Sequence, residues 1–311
     1  MNTKWLSLPA GAWKCSGAFF QHPALSHHPL TDGLNNSLAA ALEISAWIQS
    51  RDMKVKIIHG SVPDMVNQVL LHHQAFAAKR SLKKKRIGVI GTPASWLVAS
   101  HVDYLLAGQR WGVTYTDISI ETVEKAFHEI TEDEIGPEAS LFAQRAKGIQ
   151  EATPEELLRA MRLYKAIRRV CQEENLDALT LSCFSLIQSL KTTGCLALSL
   201  LNDEGIPAGC EGDLQSIMTL LMVKELIGKP GFMANPSFVD LARNEVLLAH
   251  CSIPTKNGRR VLLSATILRQ KAVSPFRALY IRAKSPFSNA EESVWTNIIC
   301  PRDTSSKIPT W

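Results

Sequence analysis

A chain of 311 residues, 46% apolar and 20% charged, can bury a full core and has the balance of a globular enzyme. No apolar run approaches the ~20 residues of a membrane span, and the first thirty residues, with His22, His27 and His28 and several prolines, make no signal peptide, so a cytoplasmic protein is expected. The net charge of +5 is not a nucleic-acid footprint, because nine of the 34 bases and only three of the 29 acids follow Lys256, leaving residues 1–256 with a net −1.

Residues 1–30 show neither a helical nor a strand period. A helix is predicted from about Asn36 to Gln49, a short strand over Val55–His59, and a second helix from Pro63 to Arg80. The basic run Lys79-Arg80 and Lys83 to Arg86 lacks interleaved aromatics and reads as a solvated connection rather than a nucleic-acid patch. Arg86 to Gly91 is an apolar strand of the kind buried on both faces of a parallel sheet. A helix over about Trp96–Leu106 and a strand over Val113–Ile118 follow. Glu132 to Pro137 is charged and marked by Gly-Pro, and the domain junction is placed there.

The second part opens with a helix over Pro154–Glu174, whose Leu157, Leu158, Met161, Leu163, Ile167 and Val170 form a broad apolar face. A strand over Asp177–Cys183 and a helix from about Cys195 to Asp203 come next. Two more strands, Gly231–Asn235 and Glu245–Cys251, are predicted with Pro236–Asn244 as their bridge. The alternation gives an α/β fold of two doubly wound units, residues 1–134 and 135–256, followed by a segment 257–311 without regular pattern. In such sheets ligands bind beyond the carboxyl ends of the strands, which makes Thr92, Ser95 and Trp96 candidates for lining a site. Seven scattered cysteines, odd in number and never in a CxxC pair, argue for reduced thiols rather than a disulfide or zinc framework.

The chemistry-bearing stretch is Gly209 to Met222, which sets Glu211 and Asp213 in the first turn of a helix reaching about Ile227. Carboxylates there either cap the free amide groups or stand at a pocket floor ready to hold a metal or move a proton. Spacing leaves both open.

Cys210-Glu211-Gly212-Asp213 ahead of its apolar helix resembles the signature of the L-fucose isomerase family, relatives of the L-arabinose isomerases. The segments Asn36–Glu43, Arg86–Pro93 with Ser95-Trp96-Leu97, Phe232–Ser237 and Leu248–Pro254 also resemble that family, in order, so the likeness runs from about residue 30 to Lys256. It implies a metal-dependent ketol isomerase, a homo-oligomer by kinship, acting on a free sugar through an ene-diol, with no nucleic-acid or membrane partner. The implied cofactor is Mn²⁺ or a similar hard cation. Glu211 matches the family's first acidic position, as ligand and base. Asn235 stands where the family places an aspartate; its amide oxygen can ligate a cation but cannot accept the proton. Asp240 is a stand-in for that carboxylate, and His250 resembles a family histidine and is the third expected ligand.

After Thr255-Lys256 the family continues with a Ser-His step that supplies the imidazole ligand, then a Gly-rich turn. Neither is present in this chain. Reading codons one base earlier restores them: Ser264-Ala265-Thr266 can encode Ser-His, and Tyr280 through Ser285 permits Tyr-Pro-Gly-Glu-Val. Residues 257–311 are therefore expected to be an out-of-frame translation, packed without regular order. The alternative function that follows is a non-catalytic remnant with at most weak sugar binding.

Overall fold

The computed structural model describes residues 37–58, 60–146, 148–149, 152–242, 245–255, 262–263 and 279–284. The chain divides into two units after Ala77. In the first, helix α1 (Ser37–Gln49) buries Ala41 and Ser45, one helical turn apart, while Leu42, Ile44 and Trp47 remain exposed. Helix α2 (Val62–Leu82) starts at Ser61, whose Oγ accepts the Asp64 N–H at 3.4 Å, and carries Lys79 and Arg80 in its last turn, where cations suit the helix dipole.

The second unit is built on one parallel sheet. Strand β1 (Arg86–Ile90) is followed by helix α3 (Tyr104–Trp111), strand β2 (Thr114–Ile118) and helices α4 (Ile120–Glu129) and α5 (Glu132–Arg145). The two-residue strand β3 (Gly148–Ile149) precedes helix α6 (Pro154–Glu173), which begins in a reciprocal cap: Glu156 N–H donates to Thr153 Oγ1 at 3.3 Å and Thr153 N–H to Glu156 Oε2 at 2.9 Å. Strand β4 (Ala178–Leu181), helices α7 (Ser185–Leu190) and α8 (Cys195–Asp203), strand β5 (Ala208–Cys210) and helix α9 (Leu214–Ile227) complete the α/β part.

The sheet order is β2-β1-β4-β5, all parallel. On one face Ile90, Leu179 and Leu181 pack with Leu163, Ile167 and Val170 of α6 and Leu198 of α8. On the other, Ile87, Val89 and Tyr115 pack with Ile217 and Leu221 of α9. β1 thus turns alternate side chains to two apolar layers, and its unbroken apolar run follows from burial on both faces. Asp177 fixes the starts of β1 and β4, accepting Lys85 Nζ at 2.8 Å and the Arg86 N–H at 2.9 Å. A second sheet, order β6-β7-β9, is antiparallel and comprises β6 (Asn235–Asp240), β7 (Glu245–His250) and, beyond the two-residue β8 (Leu262–Leu263) that pairs with β3, β9 (Leu279–Lys284).

The α/β class is as expected. Several elements differ. Residues 96–103 carry no helix, because Asp103 caps α3 by accepting the Leu106 N–H at 2.9 Å and so starts it at Tyr104. Val55 to Ile58 forms no strand beyond a bridge at Ile58. The expected junction at Glu132–Pro137 lies inside α5, and the sheet takes β1 and β2 from before it and β4 and β5 from after it. Pro137 stands in the second turn of that helix, where its missing N–H removes the bond to the Asp133 carbonyl.

The expected strand at Gly231–Asn235 begins instead at Asn235 and continues through the supposed bridge to Asp240, with a bulge between Pro236 and Phe238. A proline suits this edge strand, which need not donate along its full length. Within the supposed irregular tail, Leu279-Tyr-Ile-Arg-Ala-Lys284 alternates residue types with period two and pairs along β7, from Glu245↔Lys284 to His250↔Leu279. The other expectations for the tail, and those for residues 1–30, lie outside the described residues.

Candidate functional site

In a sheet ordered β2-β1-β4-β5 the direction of strand succession reverses between β1 and β4, and the loops leaving their carboxyl ends frame a crevice. Three turns meet there: residues 91–103 after β1, 182–184 after β4, and 211–213 after β5. The last is a tight turn in which the Asp213 N–H donates to the Cys210 carbonyl at 3.2 Å. Its central residues, Glu211 and Gly212, both have left-handed backbone, φ 65 and 70. The Gly212 N–H donates to Leu181 O at the end of β4 at 3.1 Å, and Ala94 N–H donates to Glu211 O at 2.9 Å. A Cβ on Gly212 would lie 2.6 Å from Pro93 Cα, so glycine is required by both φ and space.

Glu211 is thus not in the first helical turn, as the spacing predicts, but ahead of it, half-buried in a conformation that costs an ordinary residue roughly 1–2 kcal/mol. Its Oε2 accepts the Trp96 indole N–H at 3.0 Å. Trp96 is 58% exposed and meets the Phe184 ring edge-on at 5.5 Å, giving the crevice an aromatic wall. Thr92 and Ser95, the other expected lining residues, are exposed on the same loop.

Asp213 takes the capping role: Oδ1 accepts the Ser216 N–H at 2.8 Å, and Oδ2 accepts Ser100 Oγ at 3.3 Å. Its buried charge, after burial itself, helps push the Tyr115 hydroxyl up to about 12.

Asn235 is exposed on β6 and pairs with Ala249, the neighbour of His250. Asp240 does not replace it, because it sits opposite Glu245 at the far end of the same ladder. His250 is buried, with Nδ1 2.8 Å from Ser252 Oγ. Burial pulls its pKa down, but the hydrogen bond and charge of Cys251, with the charge of Glu211, raise it overall.

Four thiols that the sequence scatters gather beside His250. Cys183 and Cys210 approach at 2.9 Å between sulfurs, and Cys195 donates to Cys251 at 3.1 Å. Donation from Cys195 and from Cys210, against burial and helped by His250, holds the Cys251 thiol well below its ordinary value. Among the described residues, Cys210, His250 and Cys251 are the one group of three or more His, Cys, Asp or Glu with ligand atoms all within 4.8 Å of one another. Glu211 is outside that group. A donor set of two sulfurs and an imidazole is soft and suits zinc, not the hard Mn²⁺ that the resemblance implies, so the residues gathered here do not fit manganese. Their spacing, with no CxxC pair, argues against a metal framework, yet the fold gathers four of them, each ending or opening a different element.

No family model matches the chain. It is similar to a sulfoquinovose isomerase of Clostridium sp. (strain MSTE9), 29% identical over 232 residues, which cover 72% of this chain and 52% of that protein. The sulfoquinovose isomerase of Priestia megaterium is 22% identical over 222 residues, 70% of this chain and 49% of that protein. That of Alkalicoccus urumqiensis is 22% identical over 250 residues, 78% of this chain and 55% of that protein. The chain spans about half the length of the curated relatives it matches. Among the described residues no helix is long and apolar enough to cross a membrane. The relatives' names make the chain similar to sugar isomerases as a group, and none of the three is named for L-fucose.

Proposed function

We propose that this chain catalyses aldose–ketose interconversion of a sugar, with Glu211 as the group that moves the proton. The observation that carries the reading is Glu211 itself: a carboxylate held in left-handed backbone at the mouth of a parallel sheet, with one oxygen fixed by Trp96. Strain of this kind, on a residue that glycine would relieve, is a mark of a site where side-chain chemistry is needed. The three sulfoquinovose isomerases supply the class of reaction.

With Oε2 occupied by the indole N–H, Oε1 is the free oxygen. It takes the C2 proton of the open-chain aldose, leaving an ene-diol, and returns it to C1 while the O2 proton passes to O1. The exposed face of Trp96 offers the apolar side of a sugar ring a surface to rest on. The sugars to test are sulfoquinovose, after the relatives, and L-fucose and D-arabinose, after the sequence resemblance. In D₂O, the expected result is deuterium at C1 and C2 of one of them, lost in Glu211→Gln. Exchange that survives Glu211→Gln overturns the assignment of Glu211.

A second reading, a remnant that binds sugar without turning it over, is favoured by Asn235, a neutral amide where the resemblance expects a carboxylate. Calorimetric binding of a sugar without deuterium exchange selects it.

A further inference from the structure

We propose that Cys210, Cys251 and His250, with Cys183 or Cys195 as fourth ligand, bind one zinc ion that staples the antiparallel sheet to the parallel one. This stands apart from the isomerase reading and does not depend on it.

The ligands come from four places. Cys183 follows β4, Cys195 opens α8, Cys210 ends β5, and His250 with Cys251 ends β7. Cys183, Cys195 and Cys210 belong to the parallel-sheet core, and Cys251 packs against it from the second sheet. Tetrahedral zinc with Zn–S near 2.3 Å and Zn–N near 2.0–2.1 Å sets its sulfurs about 3.8 Å apart and sulfur to nitrogen about 3.6 Å. Here Cys251 Sγ and His250 Nδ1 are 3.9 Å apart, and the spread of the central trio, within 4.8 Å, needs only a small contraction. Cys183 and Cys195, at 2.9 and 3.1 Å from the two central sulfurs, would move away from them by about 0.9 and about 0.7 Å respectively to reach that spacing.

Thiols alone account poorly for the grouping. A buried S–H is a weak donor, and any of these residues as alanine or valine would fill the same space. Four thiols and an imidazole drawn from separate elements form a soft, nearly water-free donor set. Ligation through His250 Nδ1 would take the lone pair that now faces the Ser252 N–H at 3.4 Å and Oγ at 2.8 Å, so loading displaces those contacts. Loading is an exchange of each ligating thiol's proton for a bond to zinc, so it involves no oxidant or reductant. A three-thiol site releases up to three protons, fewer where a thiol is already ionised.

The test is made on the full chain, purified under reducing conditions and dialysed, with elemental analysis for bound metal. One zinc per chain is expected, and replacement by Co²⁺ should give a thiolate-to-cobalt charge-transfer band in the near ultraviolet with strong tetrahedral bands in the visible. Cys210→Ser and Cys251→Ser should each abolish the bands, while Cys171→Ser, a buried thiol on α6 outside the cluster, should keep them. Should the first two variants fail to fold, zinc-edge X-ray absorption of the wild type decides, with sulfur and nitrogen neighbours expected. Less than a tenth of an equivalent of zinc after incubation with Zn²⁺, an oxygen-only shell, or an intact mass that shows the thiols paired as disulfides would overturn the proposal.

Discussion

The indole nitrogen of Trp96 lies 3.0 Å from Glu211 Oε2, joining the loop after β1 to the turn after β5 across 115 residues of sequence. The backbones of the same segments are joined by Ala94 N–H to Glu211 O at 2.9 Å, so removing the indole nitrogen should leave the loop in place. In Trp96→Phe the aromatic wall remains but the carboxylate is free to rotate. A hydrogen bond to a charged group contributes about 1.5–3 kcal/mol when sheltered and less at this exposed position. Turnover should therefore fall roughly tenfold, with the melting temperature unchanged within about 2 °C. Steady-state kinetics beside a thermal melt reads both, and a large drop in melting temperature would assign Trp96 to stability instead.

Glu211 should trade stability for activity. Its φ of 65 is the conformation that glycine adopts without steric cost. Glu211→Gly relieves that cost but loosens the unfolded chain, so a net gain of roughly 0.5–1 kcal/mol is expected in urea unfolding. Isomerisation should vanish in the same protein. Glu211→Gln, which keeps the strain, should lose activity without gaining stability, and the contrast separates backbone relief from loss of charge.

These two residues show what the sequence could and could not carry. Glu211 was legible as a candidate because a carboxylate before an apolar helix is a local pattern, and the α/β class was legible because the strand and helix periods alternate along the chain. The Trp96 bond to Glu211 was not, since it depends on which loops the strand order brings together. The thiol cluster was invisible for the same reason. Asp103 shows a further limit: a single capping residue moved the start of α3 eight residues, and caps are resolved less sharply by pattern than helices are.

Gly212 should not tolerate a side chain. At φ 70, with Pro93 Cα 2.6 Å from the position of an added Cβ, Gly212→Ala is met by backbone, which cannot swing aside as a side-chain tip can. A loss of roughly 2–4 kcal/mol is expected, most of it from the clash. Gly228→Ala is the control, because its φ of 67 carries the same backbone cost with nothing within 4 Å. It should lose only about 1–2 kcal/mol, and equal losses at the two sites would show that space at Gly212 does not matter.

Lys85 should stabilise the fold in a pH-dependent way. Its hydrogen bond to Asp177 raises its pKa, burial opposes the rise, and the charges of Asp177 and Glu225 add to it. A group whose folded pKa is raised contributes fully below its unfolded value, near 10.4 for lysine, and the contribution is lost as pH rises through the folded value. Lys85 is a quarter exposed, so solvent screening limits the effect to roughly 1 kcal/mol. Lys85→Met should therefore be less stable than wild type at pH 7 to 9, and the gap should close as pH rises past the raised folded value. A gap that persists at high pH would mean that the aliphatic stem, not the ammonium, carries the contribution.

The reading frame gives the last prediction. The codons after Lys256, read one base earlier, yield a Ser-His step and a Tyr-Pro-Gly-Glu-Val segment where the printed chain has Tyr280 to Ser285. The two versions differ structurally at a defined place. The printed Leu279–Lys284 runs beside β7 with its full complement of amide groups, whereas a Pro-Gly pair there removes one donor and favours a turn. The restored chain should accordingly lose part of the β7 pairing seen here, read as faster hydrogen exchange at the alternate β7 amides that face β9. It should also isomerise sugar at least tenfold faster than the printed chain, because groups that act together at a site lose far more than their share when one is missing. Glu211→Gln should silence both versions. Resequencing across the codons for Thr255 to Arg260 should reveal one inserted or lost base. An intact frame there, or equal turnover by the two chains, would show that residues 257–311 are the natural continuation and that the site is complete without a further imidazole.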